Sequence, residues 1–283
     1  MAINKIGVLG AGTMGAGIAQ ICVEAGYTVV LVDIAEEFVA RGMNGILKNW
    51  DKAAAKGKKT PEDVEKYKGL LSTATDNNIF KEVDIVIEAI IENIDVKRKV
   101  MKELDGICGP DTILATNTSA LSITEIAAAT GRPDKIVGMH FFNPVPAMKL
   151  VEVIPGAETS QAVIDVVVDL SNKIGKEPVP MKESPGFIVN RVLIPYINEA
   201  AILYTEGIAS AEEIDKAMKL GANMPMGPLA LADLIGIDVC LMIMTYFWNE
   251  FGDSKYRPAL SFKQKVRAGH LGRKTGKGFF DYN

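Results

Sequence analysis

The residues best suited to proton transfer in this sequence are His140 and Glu152. The chain of 283 residues contains two histidines, so side chains that titrate near neutral pH are scarce. Glu152 follows His140 by twelve residues and sits in the apolar run 150–154, where a buried carboxylate needs a partner. Such a pair would fix the imidazole tautomer and let the ring take a proton from a substrate hydroxyl or return it. On spacing alone, a hydrogen-bonded structural histidine is the more common alternative.

A glycine-rich segment indicates dinucleotide binding. Gly10, Gly12 and Gly15 form a GxGxxG pattern that follows an apolar strand and opens a helix. In this pattern the first glycine permits a tight turn, the second lets a pyrophosphate approach the backbone, and the third lets helix and strand pack closely. Asp33, at the end of the next strand, would accept hydrogen bonds from the adenosine ribose and repel a 2′-phosphate. The pattern predicts NAD(H) rather than NADP(H); a glycine turn with a capping aspartate is the alternative.

Polar residues also follow other predicted strands. Residues 88–92, the triplet 117–119 and the pair Asn190-Arg191 are of this kind. Ligands of open α/β sheets bind beyond the carboxyl ends of the strands, so these side chains would converge there. Taken singly, each is more often a loop cap.

Strand and helix patterns alternate through the first half of the chain, which predicts an α/β fold with a doubly wound, Rossmann-like sheet. The strands are continuous apolar runs, typical of a parallel sheet buried on both faces, although some later pairing would be antiparallel. The predicted strands are 5–9, 28–32, 83–87, 112–115, 136–139 and 150–154. The predicted helices are 14–25, 97–107, 123–129 and 161–174.

The pattern changes at two places. The polar, lysine-rich stretch 36–71 predicts a helical arm that projects from the sheet. Ser184 is predicted to cap a helix with Pro185 at its first position, and helical patterns dominate from there. We therefore predict an NAD-binding domain over residues 1–183 and an all-helical domain over 184–283.

Composition narrows the class of protein. Lys+Arg 31 against Asp+Glu 35 gives a net charge of −4, which argues against a nucleic-acid partner or a membrane surface. The uncharged run 6–23 is interrupted by five glycines, so no membrane span is predicted. Three widely spaced cysteines and two histidines exclude a zinc site and a disulfide framework, and no metal is expected. Cysteine usage favours a reducing, cytoplasmic compartment.

Six stretches together resemble the short-chain L-3-hydroxyacyl-CoA dehydrogenases. They are GVLGAGTMGAGIAQ (7–20), IEAIIENIDVK (87–97), ATNTSALSIT (115–124), GMHFFNPVPAMKLVEVI (138–154), SPGFIVNR (184–191) and HLGRKTGKGFFDY (270–282). The resemblance implies a Rossmann domain followed by a helical domain that forms a homodimer. It also implies an NAD-dependent oxidoreductase of fatty acid or butanoate metabolism, which interconverts acetoacetyl-CoA and (S)-3-hydroxybutyryl-CoA reversibly.

The resemblance also assigns roles by matching position. His140 would be the catalytic acid/base and Glu152 its orienting partner, while Ser119 and Asn190 would bind the substrate oxygen or the surroundings of the imidazole. Cofactor contacts are implied for Glu92, Lys97, Asn117, Asn143 and Lys274. His270 lies outside these motifs in a turn-rich tail, where an exposed side chain without a catalytic role is expected.

In this family the helical arm helps to bind CoA, so the resemblance points to Lys48, Lys52 and Lys56 of the predicted arm as candidate CoA contacts. Their spacing places three cations on one helix face, a site suited to CoA phosphates. A solvated lysine face is the alternative, and the basic tail 273–277 is equally consistent with a solvated turn.

Three alternative functions differ from this one. A Ser–His–acid hydrolase would need a GxSxG elbow, which the sequence lacks. A structural homologue that binds NAD without turnover is disfavoured, because the four residues with catalytic roles are all present. A longer-chain L-3-hydroxyacyl-CoA dehydrogenase of fatty-acid oxidation is the third. Acyl chain length, physiological direction, assembly beyond a dimer and the identity of the CoA-binding lysines are not determined by the sequence.

Overall fold

A computed structural model describes residues 2–282 of the protein. The chain divides after Ser184 into two compact units, Met1–Ser184 and Pro185–Asn283. The first unit is built on a mixed sheet and the second consists of helices, which confirms the predicted fold class.

The first unit contains one sheet, in which the described residues form eight strands in the order β3-β2-β1-β4-β5-β6-β7-β8. The strands are β1 (Lys5–Leu9), β2 (Thr28–Val32), β3 (Leu71–Ala74), β4 (Ile85–Glu88), β5 (Ile113–Thr116), β6 (Ile136–Phe141), β7 (Leu150–Pro155) and β8 (Glu177–Pro180). All neighbours pair in parallel except β6 and β7, which are antiparallel. The apolar runs of the central strands are buried on both faces, as the sequence predicts.

The order of the strands creates the crevice in which a ligand would bind. The β1 strand lies between β2 and β4, so the connections on its two sides leave the sheet in opposite directions. In open α/β sheets this switch point lies at the carboxyl ends of the strands and receives the ligand. The turn after β1 is the glycine segment, which therefore lies at this point.

The described residues of the first unit form six α-helices, which pack on the sheet or extend from it. They are α1 (Thr13–Glu24), α2 (Glu36–Ala55), α3 (Pro61–Leu70), α4 (Ile94–Ile107), α5 (Ile123–Ala127) and α6 (Gln161–Lys173). The predicted arm is the pair α2 and α3. The α2 helix buries residues at helical spacing, Val39, Gly42, Ile46 and Trp50, while its other face is polar. Thr60 begins α3 with a capping box and Pro61 occupies its first position.

The second unit is a cluster of helices around one apolar core. The helices are α7 (Val189–Thr205), α8 (Ala211–Gly221), α9 (Pro228–Ile235), α10 (Ile237–Phe251) and α11 (Leu260–Arg267). Phe247 and Phe262 are among its fully buried side chains. Between residues 2 and 282 no single helix is long and apolar enough to cross a membrane; α9 and α10, bent by 96° at their junction, pass that test only as a pair.

The expectation that Ser184 caps a helix with Pro185 at its first position is wrong. The α7 helix begins at Val189, after Gly186 and Phe187, which have φ angles of 74° and 55°. Two successive residues in the left-handed region are incompatible with a right-handed helix, so a turn precedes α7. The close packing of Gly186 against the ring of Phe247 explains why glycine stands there, since an added Cβ would lie 2.2 Å from the ring.

The chain segment after α11 is held to α9 by one buried carboxylate. Asp233 accepts hydrogen bonds from the backbone N–H groups of Phe279 (2.8 Å) and Phe280 (2.9 Å) and from the hydroxyl of Tyr282 (3.0 Å). Gly278 makes this approach possible, because any Cβ there would collide with the carboxylate. The segment is thus part of the second unit's packed structure.

We expect Asp233→Ala to lower the free energy of unfolding by about 2–5 kcal/mol, because one buried and one partly buried N–H group lose their acceptor. Denaturant-induced unfolding followed by tryptophan fluorescence measures this change. Asp281→Ala is the matched control, since it removes an exposed carboxylate from the same segment. Equal stability of the two variants would show that the Asp233 contacts do not hold the segment.

Candidate functional site

His140 and Glu152 form a buried hydrogen-bonded pair. They lie directly opposite each other in the antiparallel β6–β7 ladder, and His140 Nδ1 lies 2.7 Å from Glu152 Oε2. His140 is 5% exposed and Glu152 is fully buried. The ring of Phe142 packs on the imidazole with centroids 4.5 Å apart. The spacing of twelve residues is thus that of a strand pair joined by a loop, and it brings the two side chains together.

The glycine segment has the geometry of a phosphate-binding turn. Gly10 has φ of 104°, and a Cβ there would lie 2.5 Å from the carbonyl oxygen of Ala89. A Cβ on Gly15 would lie 1.7 Å from the carbonyl oxygen of Gly10, so only glycine permits this approach of helix and turn. Around Gly12 no atom lies within 4 Å of the Cβ position, which leaves the backbone open to a ligand. The first-turn N–H groups of α1 point toward this opening, as anion binding requires.

Asp33 holds the glycine segment to the end of β2. Its Oδ2 accepts a hydrogen bond from the N–H of Ala11 (2.6 Å), and its Oδ1 accepts one from the N–H of Ile34 (2.7 Å). A carboxylate has about four acceptor positions, so ribose hydroxyls would still find acceptors on the same group. Asp33 therefore shapes the turn in addition to its predicted role toward the ribose.

A buried ion pair links the end of β4 to α4. Glu88 and Lys97 are both nearly inaccessible, and Lys97 Nζ lies 2.7 Å from Glu88 Oε1. The same carboxylate accepts hydrogen bonds from the N–H of Ile90 and the hydroxyl of Thr116, each at 2.7 Å. Lys97 Nζ also lies 3.6 Å from Glu92. The side chain of Lys97 is 1% exposed, so its ammonium is directed at carboxylates of its own chain.

Glu92 in turn fixes the loop that carries Ser119. Its Oε1 accepts hydrogen bonds from the Thr118 hydroxyl (2.7 Å), from the Ser119 N–H (2.7 Å) and from the Ala120 N–H (3.2 Å). Asn117, at the start of this loop, accepts a hydrogen bond from the N–H of Phe141 at 2.8 Å, the residue after His140. The polar residues after β4 and β5 are therefore connected to each other, and Asn117 connects their loop to the end of β6.

A groove of about 480 Å³ runs between the glycine segment, α2 and the loop 143–146. Lys48 and Lys52 line it and Asn143 lies on its opposite wall, whereas Lys56 is exposed outside it. Of the three arm lysines that share a predicted helix face, the structure thus places two at the groove.

Lys176 fixes the loop that forms one wall of this groove. No motif in the sequence predicts this role. Its Nζ donates to the carbonyl oxygens of Val145 (2.5 Å) and Met148 (2.7 Å). Burial lowers the pKa of this ammonium. The contact joins residues about 30 positions apart, so only the folded chain reveals it.

Two predicted site residues belong to the second unit. Asn190 is the second residue of α7. Lys274 lies in the short turn Arg273–Thr275, where its ammonium lies 2.7 Å from the Asp238 carboxylate. The expectation that the His270 side chain is exposed is wrong, because this residue is partly buried. Its backbone N–H donates to the backbone carbonyl of Lys265. Among residues 2–282 no group of three or more metal-ligating side chains is assembled.

Comparisons with known proteins agree with this architecture. The sequence model described as 3-hydroxyacyl-CoA dehydrogenase, NAD binding domain, matches residues 5–184, and the model of the C-terminal domain of the same family matches residues 186–282. A 3-hydroxybutyryl-CoA dehydrogenase from Clostridioides difficile is 52% identical over 279 residues, which cover 99% of each chain. The human mitochondrial hydroxyacyl-coenzyme A dehydrogenase is 46% identical over 99% of this chain and 91% of its own.

A solved structure supports the same family assignment. The (S)-3-hydroxybutyryl-CoA dehydrogenase PaaH1 from Ralstonia eutropha superimposes with a TM-score of 0.97 at 49% identity, with both chains fully covered. These matches confirm the family resemblance stated from the motifs. The chain belongs to the 3-hydroxyacyl-CoA dehydrogenase family of NAD-dependent oxidoreductases.

Proposed function

We propose that the protein catalyses the reversible reaction of (S)-3-hydroxybutyryl-CoA and NAD⁺ to acetoacetyl-CoA, NADH and a proton. The observation that carries this proposal is the buried His140–Glu152 pair, which lies in the same unit as the glycine turn. Full-length relatives that are 45–52% identical bear the name 3-hydroxybutyryl-CoA dehydrogenase, which supports the choice of substrate.

In this proposal His140 moves the proton. Its Nδ1 is paired with Glu152, so the second ring nitrogen, Nε2, takes the proton from the C3 hydroxyl during oxidation and returns it to the carbonyl oxygen during reduction. Glu152 holds the ring in the orientation and tautomer that this exchange requires. Bound NAD⁺ supplies the acceptor for the hydride that leaves C3. Ser119 and Asn190 would bind the substrate oxygen and polarise the carbonyl.

We propose the following residues as contacts of the cofactor. The turn of Gly10, Gly12 and Gly15 would bind the pyrophosphate and Asp33 the adenosine ribose, with NADP(H) disfavoured by the aspartate charge. Glu92, Asn117, Asn143 and Lys274 are the further cofactor contacts that we propose. Because Lys97 is covered, we propose that it contributes through Glu88 and Glu92, which it holds in place.

Lys48 and Lys52 would contact the CoA phosphates from the groove, and Lys56 would add a cation at its outer end. We also propose a homodimer through the second unit, since this unit exposes large apolar side chains such as Ile208 and Leu220, 69% and 76% exposed. A cytoplasmic location is supported by three cysteines that are all unpaired.

A longer acyl chain is the second candidate substrate. The human relative that is 46% identical favours it, because that relative is named for hydroxyacyl-coenzyme A and not for the hydroxybutyryl group. Rates with a series of 3-oxoacyl-CoA substrates of increasing length distinguish the two candidates.

The reaction itself is tested by the loss of NADH absorbance on addition of acetoacetyl-CoA. We expect turnover with the wild-type protein and, in His140→Ala, a turnover lowered by roughly 10²–10⁴-fold, because a positioned acid/base is lost. NADH affinity should change little. No turnover by the wild-type protein would exclude the proposed reaction, and near wild-type turnover by the variant would place the proton transfer elsewhere.

Cofactor choice is tested at Asp33. Asp33→Asn removes the charge but keeps an oxygen that accepts from the Ala11 N–H, so we expect the ratio of kcat/KM for NADH over NADPH to fall by roughly tenfold, about 1.4 kcal/mol. Asp33→Ala also loses that acceptor, so it should relax the preference and in addition weaken binding of both cofactors. An unchanged ratio in both variants would assign the preference to other residues.

A further inference from the structure

We infer that Glu24 is a positioning residue for the phosphorylated end of the thioester substrate, because it anchors the arm whose lysines line the groove. This inference rests on the proposed function and deepens it. Glu24 does not line the groove itself, so its effect would pass through α2. The arm is defined here as α2, α3 and the turn between them.

Glu24, the last residue of α1, gathers three donors. Its Oε1 accepts hydrogen bonds from the indole N–H of Trp50 (2.8 Å) and from the side-chain amide of Gln20 (2.8 Å). Its Oε2 lies 3.0 Å from Nζ of Lys59. Trp50 is fully buried, so its indole N–H needs this acceptor. A single carboxylate thus ties the end of α1 to α2 and to the turn that follows it.

The anchor also reaches α3. The rings of Trp50 and Tyr67 are 5.4 Å apart, and Lys59 Nζ lies 4.9 Å from the centre of the Tyr67 ring. Through these contacts Glu24 holds both helices of the arm against α1.

The groove lies between the Glu24 contacts and a second close contact of α2. Near the start of α2, Gly42 packs so closely on Ala11 that a Cβ would lie 2.6 Å from the Ala11 carbonyl oxygen. Lys48 and Lys52 lie beyond this point, on either side of Trp50, and Asn49 donates to Gln20 Oε1 at 3.0 Å. The direction of α2, and therefore the position of the two ammonium groups, depends on the Glu24 contacts.

The chemistry of the groove favours a phosphorylated ligand. Arg41, Lys48 and Lys52 line it, and none of its described lining residues is acidic. The opposite wall, Asn143 to Pro146, begins three residues after His140. A thioester whose reacting carbonyl lies at His140 would extend along this wall and bring its phosphates to α2. With the proposed substrate this group is the adenosine 3′,5′-bisphosphate portion of CoA; the dinucleotide is the other source of phosphate, because Gly12 of the proposed pyrophosphate turn also lines the groove.

The test compares acetoacetyl-CoA with acetoacetyl-pantetheine, which carries the same thioester but lacks the adenosine and all the phosphates of CoA. In Glu24→Met we expect the KM for acetoacetyl-CoA to rise about fivefold, the effect of losing one or two partly exposed charge contacts, with kcat unchanged. The KM values for acetoacetyl-pantetheine and for NADH should not change. Glu24→Gln keeps an acceptor for Trp50 but loses the Lys59 ion pair, so a smaller rise is expected. Glu65→Gln is the matched control, because it breaks an exposed ion pair of the arm with Lys68.

Equal KM increases for both thioesters would overturn the inference, since a general loss of structure would affect both alike. A rise in the KM for NADH would assign the groove to the dinucleotide, and unchanged KM values would show that the arm needs no anchor. Should Glu24→Met fail to fold, Trp50→Phe removes the indole donor and should raise the KM for acetoacetyl-CoA alone.

Binding of adenosine 3′,5′-bisphosphate, measured by calorimetry, tests the anchor without turnover. We expect the Kd to rise in Glu24→Met and to stay unchanged in Glu65→Gln; equal Kd values in the wild-type protein and Glu24→Met would overturn the inference. A wild-type protein that binds the bisphosphate but does not oxidise NADH with acetoacetyl-CoA would contradict the proposed reaction alone.

Discussion

A carboxylate removed from water must be met by donors, and this requirement shapes each functional part of the molecule. Glu152 lies opposite the imidazole of His140 in the sheet. Glu88, equally buried, gathers an ammonium, a hydroxyl and a backbone N–H at the ends of β4 and β5. Glu92, which is partly buried, gathers a hydroxyl and two backbone N–H groups of the loop after β5. In each case at least one donor comes from a different chain segment, so satisfying the carboxylate also fixes the segments relative to each other.

The parallel sheet explains why these carboxylates lie at one edge. Interior strand residues are apolar on both faces, so polar side chains are confined to the strand ends, and the ends of β1, β4, β5 and β6 lie side by side. The antiparallel β7 strand is the exception, and it is the strand that can present Glu152 directly across from His140. The proposed acid/base pair thus depends on the one change of strand direction in the sheet.

Much of this fold could be predicted from the sequence, because the central strands are continuous apolar runs and the glycine fingerprint has a fixed context. The β3 and β8 strands could not be predicted from such patterns. LSTA is short and half of its residues are polar, and EPVP holds two prolines, which suit a strand with one neighbour. Lys97 was predicted to contact the cofactor, but pattern alone could not show that its ammonium is buried against Glu88. Contacts such as Glu24 with Trp50 join residues 26 positions apart and leave no local signal.

The attachment of residues 279–282 to Asp233 has a consequence for how the chain acquires its structure. The core of the second unit includes Phe279, whose N–H is bound to a carboxylate 46 residues earlier in the chain. During synthesis the sheet of the first unit has all of its strands once residue 180 has emerged from the ribosome. The helical unit lacks part of its core until about a hundred further residues have followed. Because the ribosome releases the chain in sequence order, every strand of the sheet is available for pairing before the core of the second unit can be completed.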